Sequence, residues 1–156
     1  MDMPNLKWSK LNHLQLGRYA EYYTKMEFTS YGYDVYTSEV DDHGIDFVAQ
    51  NPTTKELFYV QVKSVRKHNY TYLKKDKLTL SKNFLVCLIY FTDDKLPDLY
   101  IIPSMVWQHP NEVFVDREYN GMKYKSKPEW GINYSQKNSF ILEAYRADKF
   151  FTEKNI

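Results

Sequence analysis

One cysteine in 156 residues leaves neither a disulfide framework nor a zinc ribbon to build. That residue, Cys87, stands inside the apolar run Phe84 to Phe91 and reads as a buried structural thiol. The four histidines, His13, His43, His68 and His109, show no His-x-x-x-His or Cys/His spacing, which argues against a zinc site. No apolar stretch approaches the roughly 18 residues of a membrane span. Met1 to Ser9 lacks the apolar core of a signal peptide, so the expectation is a cytoplasmic protein without membrane association. Internal repeats and low-complexity tracts are also missing. What is present, 43% hydrophobic and 26% charged residues, is the composition of one globular domain spanning 1–156. A chain of this length buries roughly two-thirds of its unfolded surface and needs no staples.

The net charge of +1 makes the chain no polycation, yet its charges are segregated. Asp34 to Asp46 holds Asp34, Glu39, Asp41, Asp42 and Asp46 with no Lys or Arg. Lys63 to Lys82 holds Lys63, Arg66, Lys67, Lys74, Lys75, Lys77 and Lys82 against the single acid Asp76. An acidic block beside a basic block suits a cation held next to a polyanion; two solvated loops that pair with each other are the plainer alternative.

Ser9 is the expected N-cap of a long helix over Lys10 to Ser30, ending near Gly32. Leu14, Gly17, Glu21, Thr24 and Phe28 fall on one stripe of it, which turns the Glu21 carboxylate inward. Alternation then predicts strands over Tyr33 to Ser38, Ile45 to Gln50 and Glu56 to Val65, joined by short turns at His43-Gly44 and Asn51-Pro52, hence an antiparallel meander. Residues 66–83 read as polar and basic, with a short extended piece at Tyr70 to Leu73 and a helical turn or two at Asp76 to Lys82. Phe84 to Phe91 has the apolar continuity of a strand covered on both faces. Leu99 to Ile102 is a short strand, and Pro103-Ser104 opens a small helix through Trp107. Farther on, Val113 to Tyr119 and Met122 to Lys125 flank the hairpin signal Asn120-Gly121, and 143–151 reads as a closing helix. This order predicts an α/β sandwich on a mixed sheet.

Strand alternation puts Gln61 and Lys63 on one face, with Val60, Val62 and Ser64 on the other. A lysine inside an otherwise apolar strand is costly unless paired or used. The meander can set Asp46, facing opposite to Ile45 and Phe47, beside them, and the helix packed on that face would bring Glu21. Two carboxylates and an amide oxygen suit Mg²⁺, which prefers hard oxygen ligands. Lys63 could then orient or deprotonate a bound water, or stabilise charge on a phosphate. Asp41, Asp42 and His43 read as loop residues rather than ligands.

The run Gly44-Ile45-Asp46, followed fifteen residues on by Gln61-Val62-Lys63, resembles the signature of the PD-(D/E)XK nuclease superfamily. Upstream, Leu16-Gly17-Arg18-Tyr19-Ala20-Glu21 resembles the helical glutamate motif of its Holliday-junction-resolvase-like and Mrr-like branches. The resemblance implies a restriction-endonuclease-like αβββαβ core over about 9–107, its mixed central sheet flanked by helices. A C-terminal hairpin and short helix would fill an extension over about 108–156. It implies a metal-dependent endonuclease with DNA ahead of RNA as substrate, and Mg²⁺ or Mn²⁺ as cofactor. Asp46 and Gln61 match the metal-binding pair, Lys63 the catalytic lysine and Glu21 the additional helical acid, while the backbone carbonyl of Val62 is a further metal contact. Two positions depart from the pattern. Ile45 replaces the proline, and Gln61 replaces the acid, which removes a negative charge and weakens metal binding; Mrr-like members carry Gln here as well.

Nucleic-acid contact is expected from Arg66, Lys67, Lys74, Lys75 and Lys77, with Tyr70 and Tyr72 for stacking. The near-neutral total predicts modest affinity from one chain, which a homodimer or a partner would raise. Two other functions compete: a non-catalytic nucleic-acid-binding module of the same fold, and a protein-interaction domain docking through the aromatic-rich hairpin at 113–125.

Overall fold

The computed structural model describes residues 4–37, 39, 44–119 and 126–154. Instead of one helix from Lys10, the chain first makes a 3-10 turn at Trp8–Lys10, and helix α1 spans His13–Ser30. The break has two causes. Trp8 is buried with its indole N–H donating to the Lys95 carbonyl at 2.8 Å. Asn12, not Ser9, caps the helix: its side chain accepts from the Gln15 N–H at 2.9 Å, while the Gln15 side chain accepts from the Asn12 N–H at 3.0 Å. Two otherwise orphaned donors are satisfied reciprocally. Ser9 instead binds Asp93 through its own N–H at 2.9 Å. Asn12→Ala should cost about 1 kcal/mol, read as a lowered midpoint in thermal or urea unfolding; an unchanged midpoint would show that the cap adds nothing.

The buried stripe of α1 is Leu16, Ala20, Thr24 and Phe28. The expected stripe through Leu14, Gly17 and Glu21 is corrected: Leu14 is 73% exposed, and Glu21 is half-buried at the stripe's edge. The helix ends as expected before Gly32, whose φ of +85° lets the chain reverse.

Strands β1 (Asp34–Tyr36), β2 (Phe47–Gln50) and β3 (Leu57–Arg66) form the predicted antiparallel meander. Ser38 and 40–43, which include Asp41, Asp42 and His43, lie outside the described residues. Next comes β4 (Tyr70–Lys74), then β5 (Phe84–Phe91) and β6 (Asp98–Pro103). The main sheet has the order β1-β2-β3-β5-β6, with β3 and β5 parallel and the other pairs antiparallel. It is the mixed sheet expected, with β3 at its centre and β5 its most buried strand. Cys87 lies there fully buried, and burial pushes its thiol pKa up.

The crossover from β3 to β5 carries no helix. Its aromatic and β-branched run Tyr70-Thr71-Tyr72 forms β4 instead, and Lys75 to Lys77 is a turn. β4 pairs antiparallel with β8 (Glu129–Asn133), which also pairs with β7 (Phe114–Arg117), making a second sheet of order β4-β8-β7. The expected hairpin therefore closes onto β8, with Arg117 opposite Glu129; its Asn120-Gly121 turn and 122–125 lie outside the described residues. The predicted small helix is a 3-10 turn at Ser104–Gln108. An unpredicted short helix, α2 (Ser139–Leu142), precedes the closing helix expected over 143–151, which is a 3-10 turn at Glu143–Tyr145 followed by a helix at Ala147–Lys154 (α3).

Two apolar clusters sandwich the main sheet. On one face Leu16, Ala20 and Phe28 of α1 and Phe150 and Phe151 of α3 pack on Phe47, Phe58 and Val60. On the other, Leu73, Phe114, Ile132 and Leu142 cover Val86, Leu88 and Ile102. Among the described residues no helix is long and apolar enough to cross a membrane.

Candidate active site

The two faces of β3 determine which side chains meet. Phe58, Val60 and Val62 pack toward α1, so by alternation Tyr59, Gln61, Lys63 and Val65 point to the opposite face, where Val65 joins the second cluster. Gln61 and Lys63 thus share a face as predicted, but α1 does not cover it. Three apolar side chains at even positions draw the helix to their own side. Glu21 stays there, its Oε1 2.9 Å from the Lys25 ammonium, which lies 5.9 Å from the ring of Phe47. The expectation that α1 delivers Glu21 onto the face of Gln61 and Lys63 is corrected accordingly.

Asp46 is not a strand residue. β2 begins at Phe47, and Ile45 packs on the second cluster while Phe47 packs on the first, so the alternation expected of Ile45 and Phe47 breaks at Asp46. The Asp46 N–H donates to the Val60 carbonyl at 2.8 Å, and its Oδ2 accepts from the Val62 N–H at 2.6 Å. The carboxylate gives Val62 a partner where the β2 ladder stops, which places it at the sheet edge between Gln61 and Lys63. Gly44 makes this turn with φ +70°. A Cβ there would lie 2.9 Å from the Lys77 carbonyl oxygen and 3.5 Å from Gln61 Oε1. The crossover loop therefore lies directly against the Gly44 to Asp46 turn.

Among the described residues Gln61 Oε1 is buried without a hydrogen-bond partner. A buried orphan acceptor calls for a water or an ion, and an amide oxygen beside a carboxylate is a hard-oxygen pair of the kind Mg²⁺ accepts. The residues fit such a cation. No group of three or more His, Cys, Asp or Glu gathers among the described residues, so water or substrate oxygens would have to complete its shell.

Lys63 is half-buried, and burial holds its pKa below the ordinary lysine value; Asp46 opposes that shift and Lys74 adds to it. Between the lowered folded pKa and the unfolded value near 10.5 the unfolded chain binds more protons, so this lysine's penalty on stability is full at neutral pH and fades as pH rises through that window. Lys63→Met in EDTA should therefore melt no lower than the wild type at pH 7, and its advantage should shrink toward pH 10. A variant that melts well below the wild type at pH 7 would mean the ammonium is stabilising instead.

The seven residues expected to meet nucleic acid separate. Lys74 and Lys77 are exposed on the Asp46 side, Lys74 acting on Lys63 and Lys77 lying against Gly44. Tyr72 is 44% exposed and stacks on Tyr70 with ring centroids 6.2 Å apart. Tyr70 itself donates to the buried Glu129 and lies under the Arg117 guanidinium, so its phenol is structural, its pKa driven up by burial and by Glu129. Lys75 is held by Asp116 and Glu118 and lies 3.9 Å over the Trp130 ring. Arg66 donates to the Ser9 and Leu11 carbonyls and, with Lys67, lines a separate cavity of about 630 Å³. Sequence reasoning missed Tyr59 on the same face, although its two-residue spacing from Gln61 carries the signal.

Residues 15–75 match the restriction endonuclease family Mrr_cat, a stretch that contains Glu21, Asp46, Gln61 and Lys63. No curated protein matches the chain in sequence. The fold resembles Hjc, a Holliday junction resolvase of the archaeal hyperthermophile Archaeoglobus fulgidus, with TM-score 0.54 and 14% identity over 87% of this chain and 95% of the resolvase. It also resembles the bacterial homing endonuclease I-Ssp6803I, with TM-score 0.52 and 18% identity over 92% of this chain and 93% of that one. Family match and fold together agree with the resemblance read from the sequence: residues 15–75 are similar to a restriction endonuclease family, and the fold is restriction-endonuclease-like.

Proposed function

We propose that the protein is a Mg²⁺- or Mn²⁺-dependent endonuclease that hydrolyses phosphodiester bonds in DNA. The observation that carries this reading is the buried Gln61 Oε1, without a partner among the described residues, beside the Asp46 turn, with Lys63 on the same face. Asp46, Gln61 and the Val62 carbonyl would hold the cation, and Glu21, paired with Lys25 on the opposite face, takes no part. Bound, the cation supplies Lewis acidity that polarises the phosphoryl group and acidifies the attacking water.

The chain's own residues do the rest. Asp46 fixes the negative charge of the site and is itself held by Val62. Lys63, its pKa lowered by burial, can orient the attacking water and gives up its proton more readily than an exposed lysine. Lys74 and Lys77 place positive charge where the phosphate backbone would run. With a net charge of only +1, one chain offers little general attraction to DNA, which makes a homodimer the proposed acting unit.

The loss of one acid at Gln61 favours a second reading, a DNA-binding module of the same fold without catalysis. Incubating plasmid, single-stranded and branched DNA with the protein in Mn²⁺, Mg²⁺ or EDTA separates the two. Metal-dependent cutting supports the enzyme; intact DNA that is nonetheless retarded by the protein supports the binder; neither result would leave a protein-interaction domain.

A further inference from the structure

On the face of β3 that carries Gln61 and Lys63, Tyr59 comes one step earlier, roughly 7 Å along the strand, and is 40% exposed. It lines a groove of about 420 Å³ together with Ile45, Phe84, Lys77, Thr79 and Ser81. Phe84 is only 7% exposed, and Ile45 packs on the second core cluster, so they form an apolar wall beside the Tyr59 ring. Thr79, Ser81, Lys77 and Asp76, the last paired with Lys127 at 3.4 Å, supply the polar side. The groove neighbours the candidate site across the Gly44 turn: a Cβ at Gly44 would lie 2.9 Å from the Lys77 carbonyl oxygen and 3.5 Å from Gln61 Oε1.

The volume is near the lower end of the roughly 300–1,000 Å³ of small-ligand sites. An apolar wall, an exposed ring and a few hydroxyls match one nucleobase rather than a base pair. Bases inside a duplex are stacked on both faces and cannot offer one to an outside ring, whereas unpaired bases stack readily on Tyr. We propose that this groove holds a single unpaired nucleobase stacked on Tyr59, next to the phosphodiester bound at Asp46, Gln61 and Lys63, so that the preferred substrate has an unpaired nucleotide at the cut. The inference rests on the nuclease reading above and names its substrate class.

The test compares the full chain with its Tyr59→Ala and Tyr59→Phe variants, first checked for equal melting. Binding is measured in EDTA, so that no strand is cut, to a short single strand carrying 2-aminopurine and to its fully paired duplex. The wild type should bind the single strand more tightly and quench its fluorescence. Tyr59→Ala should weaken single-strand binding about five- to hundredfold while leaving duplex binding unchanged, and Tyr59→Phe should behave as the wild type. Equal single-strand affinity and equal quenching in Tyr59→Ala would overturn the proposal, as would a wild type that prefers the duplex. Failure of the nuclease reading looks different: no DNA is cut in Mn²⁺, yet the Tyr59-dependent preference persists and the groove stands as a binding site.

Discussion

Asp46→Asn is expected to reduce metal-dependent cutting of DNA by about a thousandfold or more, the scale on which removing one preorganised charge-stabilising group acts. Asparagine keeps the shape and an oxygen able to accept from the Val62 N–H, the 2.6 Å bond that anchors the turn, so the fold should survive. What it removes is the negative charge between Gln61 and Lys63. Mn²⁺ binding, followed by electron paramagnetic resonance in the absence of DNA, should weaken in parallel. Two companion variants sharpen the assignment. Lys63→Met should lose cutting while retaining Mn²⁺ binding, because it contributes no ligand. Gln61→Glu should tighten Mn²⁺ by restoring the charge that the amide lacks. If Asp46→Asn cuts as fast as the wild type, the cleavage site lies elsewhere on the protein.

Gly44→Ala should be among the most damaging small substitutions in the chain, at about 2–4 kcal/mol. Two independent effects add. The backbone sits at φ +70°, a left-handed conformation that costs an L-residue about 1–2 kcal/mol. The new Cβ would also press on the Lys77 carbonyl at 2.9 Å and the Lys77 Cβ at 3.1 Å, forcing the crossover loop off the turn. Loss of stability should come with loss of cutting, since the same shift moves Asp46 relative to Gln61. Gly17→Ala makes the opposite case: a Cβ there meets nothing within 4 Å, in the middle of α1. Alanine at that helical position should stabilise by about 0.5–1 kcal/mol. Urea unfolding of both variants would check the pair, and equal effects of the same sign would refute this account of the G-x-D motif.

The motif residues illustrate how far sequence reasoning reaches. Gln61 and Lys63 lie on β3 and Asp46 immediately precedes β2, its antiparallel neighbour, so short-range rules suffice to bring them together. Alternation set Gln61 and Lys63 on one face, and the short Asn51-Pro52 connection left the antiparallel neighbour as the economical choice. The same holds for β5, whose unbroken apolar run already required cover on both faces.

Long-range pairing determined the rest. Alternation says which residues of β3 share a face, but not which face a helix will cover. Both sides carry valines, and only the competition between the Phe58-Val60-Val62 side and the side closed by Leu73 and Ile132 assigns α1 to the first, and with it Glu21. Likewise Tyr70 and Lys75 read as free nucleic-acid contacts because their partners, Glu129, Asp116 and Glu118, lie more than 40 residues away in sequence. By itself the sequence determined the strands of the main sheet, the local motif and the chemistry its residues can perform, but not β8 of the second sheet. The tertiary structure decided which charges stay available for that chemistry, because a buried or paired side chain is claimed by whichever distant segment packs against it, and no local pattern encodes that choice.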